Sequence, residues 1–165
     1  MYAFKKYFIY CFMRLTHFTD YTLRALMYLG AHRDRLVTIQ DIADTHQVSK
    51  NNMTKVVHQL GLAGLVETVR GRNGGLRLKL DPGEISVGAI VRSTETDFHM
   101  AECFDPHGML CPLAASCRLQ HVLTLATSAY LAVLDGQTLA TLLEPGRHPV
   151  EAPVILQRAA GSPPA

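Results

Sequence analysis

The most constraining feature of the sequence is a pair of short amphipathic segments, residues 38–46 and 49–60, separated only by Gln47 and Val48. Apolar residues recur in both segments at helical spacing, so we predict two helices joined as a helix-turn-helix. The predicted inward face of the second helix holds Met53, Val56, Val57 and Leu60. Its N-terminal half places polar residues outward, namely Ser49, Lys50, Asn51, Asn52 and Lys55.

This outward face has the chemistry of a recognition helix. Asparagine can pair bidentately with adenine, and lysine reaches guanine edges or backbone phosphates in the major groove. An ordinary solvated helix surface carries the same residue types, so the face alone leaves both interpretations open.

A β-hairpin is predicted directly after the two helices. Residues 65–70 and the alternating residues 76–80 flank the turn sequence GRNGG at 71–75, in which Asn73-Gly74 is a strong hairpin signal. A hairpin in this position is a wing, and arginine at its tip is attracted by the negative potential of a minor groove. The tip residues are Arg70, Arg72 and Asn73. We therefore predict a winged helix-turn-helix in a fold that is mainly α with a small β wing.

The charge distribution supports a nucleic-acid partner. The whole chain carries a net charge of only +2. Residues 49–80, however, contain six lysines and arginines against the single acid Glu67, so the remainder is net acidic. A basic segment of this kind is typical of a surface that contacts phosphates. The expected partner is double-stranded DNA.

Two further helices are predicted around this unit. From Thr16, a buried stripe recurs at helical spacing, with Thr19 placed to cap the helix and Asp20 in its first turn. By itself, Asp20 is best interpreted as a solvated carboxylate that favours the helix dipole. The stripe comprises Phe18, Thr22, Ala25, Leu26 and Leu29. A short helix over 86–95 should pack Val87, Ile90 and Val91.

Three cysteines, Cys103, Cys111 and Cys117, lie close together in a segment rich in turn residues. Thiolates at such spacing can converge on one soft metal centre, either an iron–sulfur cluster or zinc. Three thiolates leave one ligand to be supplied by another group. Candidates in the chain are His99, Glu102, Asp105, His107, His121 and the more distant Cys11, and a residue of a partner chain also qualifies. Ordinary reduced thiols are the alternative, and a disulfide framework is disfavoured by the core-forming composition.

Residues 119–133 form a predicted helix that is apolar on both sides. A helix that is apolar all round is usually buried on both sides. In a chain of 165 residues, the simplest partner is a second copy, so we predict a homodimer with burial inside one subunit as the alternative. No apolar run approaches the roughly 20 residues that cross a bilayer. We therefore expect a cytoplasmic protein without membrane contact.

The predicted organisation has five parts. Residues 1–12, MYAFKKYFIYCF, are interpreted as an extraneous or disordered extension; a signal peptide is the alternative, but no small-residue cleavage site follows. Residues 13–96 form the winged helix-turn-helix domain and residues 97–118 the cysteine loop. Residues 119–143 hold the long dimerisation helix and a short C-terminal helix, and residues 144–165, rich in Pro, Ala and Gly, form a disordered tail.

The segments MRLTHFTDYTLRALMYL, SKNNMTKVVHQL, LAGLVETVRGRNGGLRL and the cysteine loop ending in CRLQHVL together resemble the NsrR branch of the winged-helix iron–sulfur repressors, a family that also includes IscR. The resemblance spans Met13 to about Pro145. It implies a homodimeric transcriptional repressor whose cluster is nitrosylated by nitric oxide, so that operator DNA of nitrosative-stress genes is released. It also implies cluster ligation by Cys103, Cys111 and Cys117, with Asp20 of the partner subunit as the fourth ligand.

The same resemblance favours a 4Fe-4S cluster, because Asp20 matches the branch. The histidine that would match IscR-type proteins, His121, is one residue farther from the last cysteine. The alternative is a 2Fe-2S or iron- and redox-responsive regulator of the IscR type. A cluster-free or zinc-stabilised DNA regulator is a further alternative. An electron carrier or a thiol enzyme would use the cysteines but would explain neither the recognition helix nor the basic segment.

Overall fold

A computed structural model describes residues 14–105, 111 and 117–145 of the chain. The predicted extension at 1–12, the tail beyond 145, and the candidate ligands Cys11 and His107 lie outside these residues. The described helices and strands are, in chain order, α1 (His17–Ala31), α2 (Ile39–His46), α3 (Lys50–Leu62), β1 (Val66–Val69), β2 (Gly75–Leu78), α4 (Val87–Thr94), α5 (Arg118–Asp135) and α6 (Leu139–Leu143). Two short 3-10 helices, Pro82–Glu84 and Glu102–Phe104, lie between them.

Helix α1 forms the centre of the core. It packs against α3, α4, α6 and β2, and the predicted stripe of Thr22, Ala25, Leu26 and Leu29 is buried, with Phe18 packed beside it. The prediction that Thr19 caps this helix is wrong. The cap is Thr16, whose hydroxyl accepts a hydrogen bond from the Thr19 backbone nitrogen at 3.2 Å. The helix begins earlier than expected, which places Thr19 on the buried face.

The helix-turn-helix forms as predicted. Helix α2 begins with a capping box in which the Thr38 hydroxyl accepts from the Asp41 nitrogen and the Asp41 carboxylate accepts from the Thr38 nitrogen. It ends at Gln47, whose φ of 53° is left-handed and reverses the chain toward α3. The Ser49 hydroxyl then caps α3. The predicted inward residues of α3 are all buried, namely Met53, Val56, Val57 and Leu60.

The predicted wing is also present, with a different turn. Strands β1 and β2 pair antiparallel from Val66↔Leu78 to Val69↔Gly75. The left-handed residue of the turn is Gly71, at φ 121°, rather than Asn73 or Gly74. The loop closes where the Gly74 nitrogen donates to the Gly71 oxygen at 3.0 Å. A Cβ at Gly74 would collide with the Val69 carbonyl oxygen, so a glycine is required there by close approach.

The remaining helices confirm the predicted elements and add a contact. Helix α4 is capped by Ser86, and Val87, Ile90 and Val91 are buried as expected. The short helix α6 returns to α1, where Leu139 is buried in the core. The predicted mainly α fold with a β wing is therefore confirmed.

Helix α5 differs from the others in its exposure. None of its 18 residues is buried within the described part of the chain. Leu119, Val122 and Leu125 are 63%, 57% and 57% exposed. Among the described residues, no helix is long and apolar enough to cross a membrane.

The junction of α1 and α2 generates a testable pH dependence. The Nε2 atom of His46 is buried without a hydrogen-bond partner in the described residues, and the ring lies edge-on to Tyr28. Burial, followed by the charge of Arg24, lowers the pKa of His46 from its ordinary 6.5. Just below pH 6.5 the unfolded chain therefore binds more protons than the folded chain. We predict that the free energy of unfolding falls as the pH drops from about 6.5 toward the folded pKa.

Replacing His46 with phenylalanine keeps an aromatic ring and removes the titrating group. Urea unfolding with a chelator present, at several pH values between 5.5 and 7.5, should show a smaller pH dependence for His46→Phe than for wild type. His58 is exposed on α3, and His58→Gln serves as the control that keeps the wild-type dependence. If His46→Phe keeps it as well, another group is responsible.

Candidate DNA interface and cysteine site

The N-terminal half of α3 presents a polar surface. Lys50, Asn51, Asn52 and Lys55 are all exposed, as predicted. Lys50 and Lys55 form no ion pair with any described residue, so their charges are available to phosphates. Ser49 differs from the rest of the predicted set, because its hydroxyl oxygen accepts the Asn52 backbone N–H at 3.3 Å and caps the helix.

The wing tip presents a second cationic surface. Arg70, Arg72 and Asn73 are exposed, and the two arginines form no ion pair within residues 14–105. Arg77 behaves differently. Its guanidinium donates two hydrogen bonds to Glu67 across the strands, at 3.1 and 3.2 Å, and these bonds lower the pKa of Glu67. The positive charge of Arg77, which the sequence places in the basic segment, is therefore compensated.

Main-chain hydrogen bonds fix the wing relative to the helices. The Val37 nitrogen donates to the Leu76 oxygen at 3.0 Å, and the Leu76 nitrogen donates back at 2.7 Å. Val37 comes directly before Thr38, which caps α2. A Cβ at Gly75 would lie 2.9 Å from the Val37 carbonyl oxygen, so the strand approaches closely. The wing and the recognition helix consequently have a defined relative position.

The three cysteines are free and half-buried. Cys103 lies in the 3-10 helix Glu102–Phe104 and Cys117 is the N-cap of α5. The Cys117 sulfur accepts the Gln120 backbone N–H at 3.5 Å. Hydrogen bonds to sulfur are among the means by which proteins tune iron–sulfur centres. Three reduced thiols, one of them at a helix N-terminus, have donor chemistry that fits a soft metal or a cluster.

Within the described residues of one chain, the candidate ligands do not converge on one site. Among the described residues, no three His, Cys, Asp or Glu side chains form a group that could hold a metal ion. His99 lies beside Asp97, with 3.9 Å between Nδ1 and the carboxylate. His121 is exposed in the first turn of α5. The fourth ligand therefore remains a prediction.

Asp20 has a partner that the sequence analysis missed. It lies in the first turn of α1 and accepts a hydrogen bond from the Arg24 Nε at 2.9 Å. The i, i+4 spacing of opposite charges could have indicated this pair. Ligation of a metal by Asp20 would have to replace this contact.

Comparison with known proteins decides the family. A family model described as "Iron-dependent Transcriptional regulator", Rrf2, matches residues 15–145. The chain belongs to the Rrf2 family. As an Rrf2 protein it is a transcriptional regulator, and the prediction that it is not an enzyme is confirmed.

Rrf2 relatives and solved structures agree with the fold. The chain is 50% identical over 133 residues to the HTH-type transcriptional regulator NsrR of Bacillus subtilis, covering 80% of this chain and 91% of that protein. The structure of CymR, the global cysteine regulator of B. subtilis, superposes with a TM-score of 0.65 at 26% identity, over 80% of this chain and 97% of that one. T. potens IscR gives 0.63 at 26% identity, over 79% and 86%.

The Glu67–Arg77 pair of this Rrf2 chain predicts the effect of a charge change. Glu67→Gln should release Arg77 and strengthen binding to a random-sequence duplex, because one more cation then faces the phosphates. The slope of log K against log salt should steepen by up to about one unit. Fluorescence anisotropy over a range of salt concentrations measures both quantities.

Asp34→Asn is the matched control for this charge change. Asp34 is exposed and forms no ion pair within residues 14–105. Its substitution removes the same charge without releasing an arginine. Identical slopes in the two variants would show that Arg77 does not reach the DNA.

Proposed function

We propose that the chain is an iron–sulfur transcriptional repressor that senses nitric oxide and releases operator DNA of nitrosative-stress genes in the cytoplasm. The observation that carries the proposal is that a single fold presents both a basic surface suited to DNA and a thiol suited to a metal centre. It presents exposed lysines and arginines on α3 and the wing tip that form no ion pair among the described residues, and it places a free thiol, Cys117, at the N-cap of its long exposed helix. The 50% identity to an NsrR regulator supports the proposal.

The operator would be read by a homodimer. Helix α5 leaves Leu119, Val122 and Leu125 exposed, and the α5 helix of a second copy is the simplest apolar surface to cover them. A two-fold dimer of winged helices reads two half-sites about one helical turn apart, so we expect a near-palindromic operator. Ser49, Lys50, Asn51, Asn52 and Lys55 would face the major groove, with Arg70, Arg72 and Asn73 of the wing on the minor groove.

Cys103, Cys111 and Cys117 would hold the cluster, with Asp20 of the partner subunit as the fourth ligand. When bound, the cluster would supply iron that reacts with nitric oxide, and a 4Fe-4S form is preferred. To ligate the cluster, the Asp20 carboxylate would leave its ion pair with Arg24. The Arg24 guanidinium would then lose this partner. Because Cys117 is the N-cap of α5 and Asp20 lies in the first turn of α1, ligand loss would act at the N-terminal ends of both helices. Helix α5 belongs to the proposed dimer interface, and α1 belongs to the core.

A 2Fe-2S, iron- or redox-responsive regulator of the IscR type is the second candidate. His121 lies in the same first turn of α5 as Cys117, which favours an imidazole ligand in place of Asp20. Mössbauer spectra of anaerobically purified protein, with iron and sulfide analysis, distinguish the two cluster types. Zinc without sulfide would exclude both.

The DNA surface predicts two distinguishable mutational effects. Lys50→Ala should weaken binding across all sequences and reduce the salt slope by about one unit, because one phosphate contact is lost. Asn51→Ala should instead cost roughly 1–3 kcal/mol against the cognate base at one position and little elsewhere. Binding titrations on an operator and its single-base variants test both expectations. Gln59→Ala, on the exposed C-terminal half of α3, is the control, and a matching loss there would contradict the assignment.

The cysteine site predicts coupling between metal and DNA. Cys111→Ser should give a folded protein that binds the operator poorly and does not respond to nitric oxide. Asp20→Ala should be milder, because three thiolates remain. In wild type, the operator affinity before and after stoichiometric nitric oxide, at fixed salt, should differ by about 1–3 kcal/mol. Cys11→Ser should keep the wild-type affinity and response, because the proposal assigns the fourth ligand to Asp20 and not to Cys11. Equal wild-type affinities in the two states would contradict the sensor function.

A further inference from the structure

Helix α5 contacts the rest of the described chain mainly through α4, and the contact lies near the C-terminal end of α5. Asp135, the last residue of α5, lies against Arg92 of α4. Nearer the start of the helix, Leu119 and Val122 are more than half exposed. Among the described residues of one subunit, the contacts that hold α5 therefore lie near its C-terminal end.

The contact between α4 and α5 includes a bidentate ion pair. Arg92 donates from Nη1 to Asp135 Oδ1 and from Nη2 to Oδ2, the second bond at 2.6 Å. These bonds lower the pKa of Asp135 and raise the pKa of Arg92, so both groups are charged at neutral pH. The side chains are 42% and 45% exposed, and exposed pairs contribute little to stability. A bidentate guanidinium–carboxylate pair nevertheless fixes the relative orientation of its two helices, which a lysine could not do.

Backbone contacts reinforce the same attachment. A Cβ at Gly88 would collide with the Asp135 carboxylate and lie 2.8 Å from the Asp135 backbone nitrogen, so α4 and the end of α5 are in direct contact. The Val87 nitrogen donates to the Gln137 oxygen at 3.0 Å, and the Leu139 nitrogen donates to the Ile85 oxygen at 2.8 Å. The segment that follows α5 is therefore hydrogen-bonded to the two residues that flank Ser86, the N-cap of α4.

The length of α5 amplifies any change at this attachment. Eighteen residues span about 27 Å, so a tilt of about 10° displaces the far end by about 5 Å. That displacement exceeds the rise of one base pair, roughly 3.4 Å. We infer that Arg92 and Asp135, packed on Gly88, are positioning residues that fix the angle of α5 to the DNA-binding helices. They thereby set the half-site spacing that the protein accepts. This inference rests on the proposed α5-mediated dimer.

The test uses spacing, which a purely structural role would not change selectively. The probes are a near-palindromic duplex selected by the wild-type protein from a random library, versions one base pair longer and shorter between the half-sites, and a single half-site. Wild type should prefer its selected spacing by roughly tenfold, and Arg92→Met should reduce that preference to less than about threefold. Binding to the single half-site should stay unchanged. The spacing preference of Arg92→Lys should lie between those of wild type and Arg92→Met, because lysine keeps the charge but loses the bidentate geometry.

Arg33→Met is the matched control. Arg33 forms another exposed ion pair, with Asp81 at 2.9 Å, that does not involve α5, and its loss should leave the spacing preference intact. Gly88→Ala should shift the preferred spacing; if that variant fails to fold, Arg92→Met still decides. An unchanged preference in Arg92→Met, or an equal loss on the single half-site, would overturn the inference while leaving the proposed function standing. A wild-type protein that binds all spacings equally would overturn both the inference and the proposed α5-mediated dimer on which it rests.

Discussion

The burial of one face of α1 is the interaction on which the rest of the structure depends. Ala25, Leu26 and Leu29 are almost fully removed from solvent, and the same helix packs against α3, α4, α6 and β2. The recognition helix, the wing and the helix that holds α5 are thus placed by one shared core rather than by separate contacts. Close-packed interiors transmit strain, so a displacement at the start of α1 would be transmitted to α3 and the wing, the elements that we propose face DNA.

Sequence periodicity was sufficient for the elements and for the buried faces of α1, α3 and α4, because burial repeats with the helix. All four inward residues of α3 and the stripe of α1 are examples. Features that depend on the exact start of an element were less predictable. Thr16 rather than Thr19 caps α1, and Gly71 rather than Asn73-Gly74 takes the left-handed conformation of the wing turn. Long-range pairs such as Arg92–Asp135, 43 positions apart, leave no local signal.

The two candidate sites differ in the same way, because one depends on local sequence and the other on contacts between distant residues. The exposure of the candidate DNA surface could be predicted because this surface consists of contiguous residues on one helix and one turn, whose exposure follows from the local pattern. A metal centre depends on the convergence of distant groups, and the described residues of one chain do not show that convergence. The sequence identifies three thiols of suitable chemistry, but in the proposed site the fourth ligand, Asp20 of the partner subunit, would depend on how two chains meet. The Asp20–Arg24 pair indicates that the unligated carboxylate is already compensated by its own helix.

The attachment of the wing has a consequence for how such regulators diverge. Its base is held by the Val37–Leu76 hydrogen bonds and by the buried Leu76 and Leu78, whereas Arg70, Arg72 and Asn73 extend into solvent. Substitutions at exposed positions of this kind usually alter stability by less than about 0.5 kcal/mol. The tip can therefore accumulate changes during evolution without endangering the fold. Gly71 and Gly74 are the exceptions, because backbone geometry fixes them. With these three side chains on DNA as proposed, new target sequences would be acquired at the tip while the scaffold remains the same.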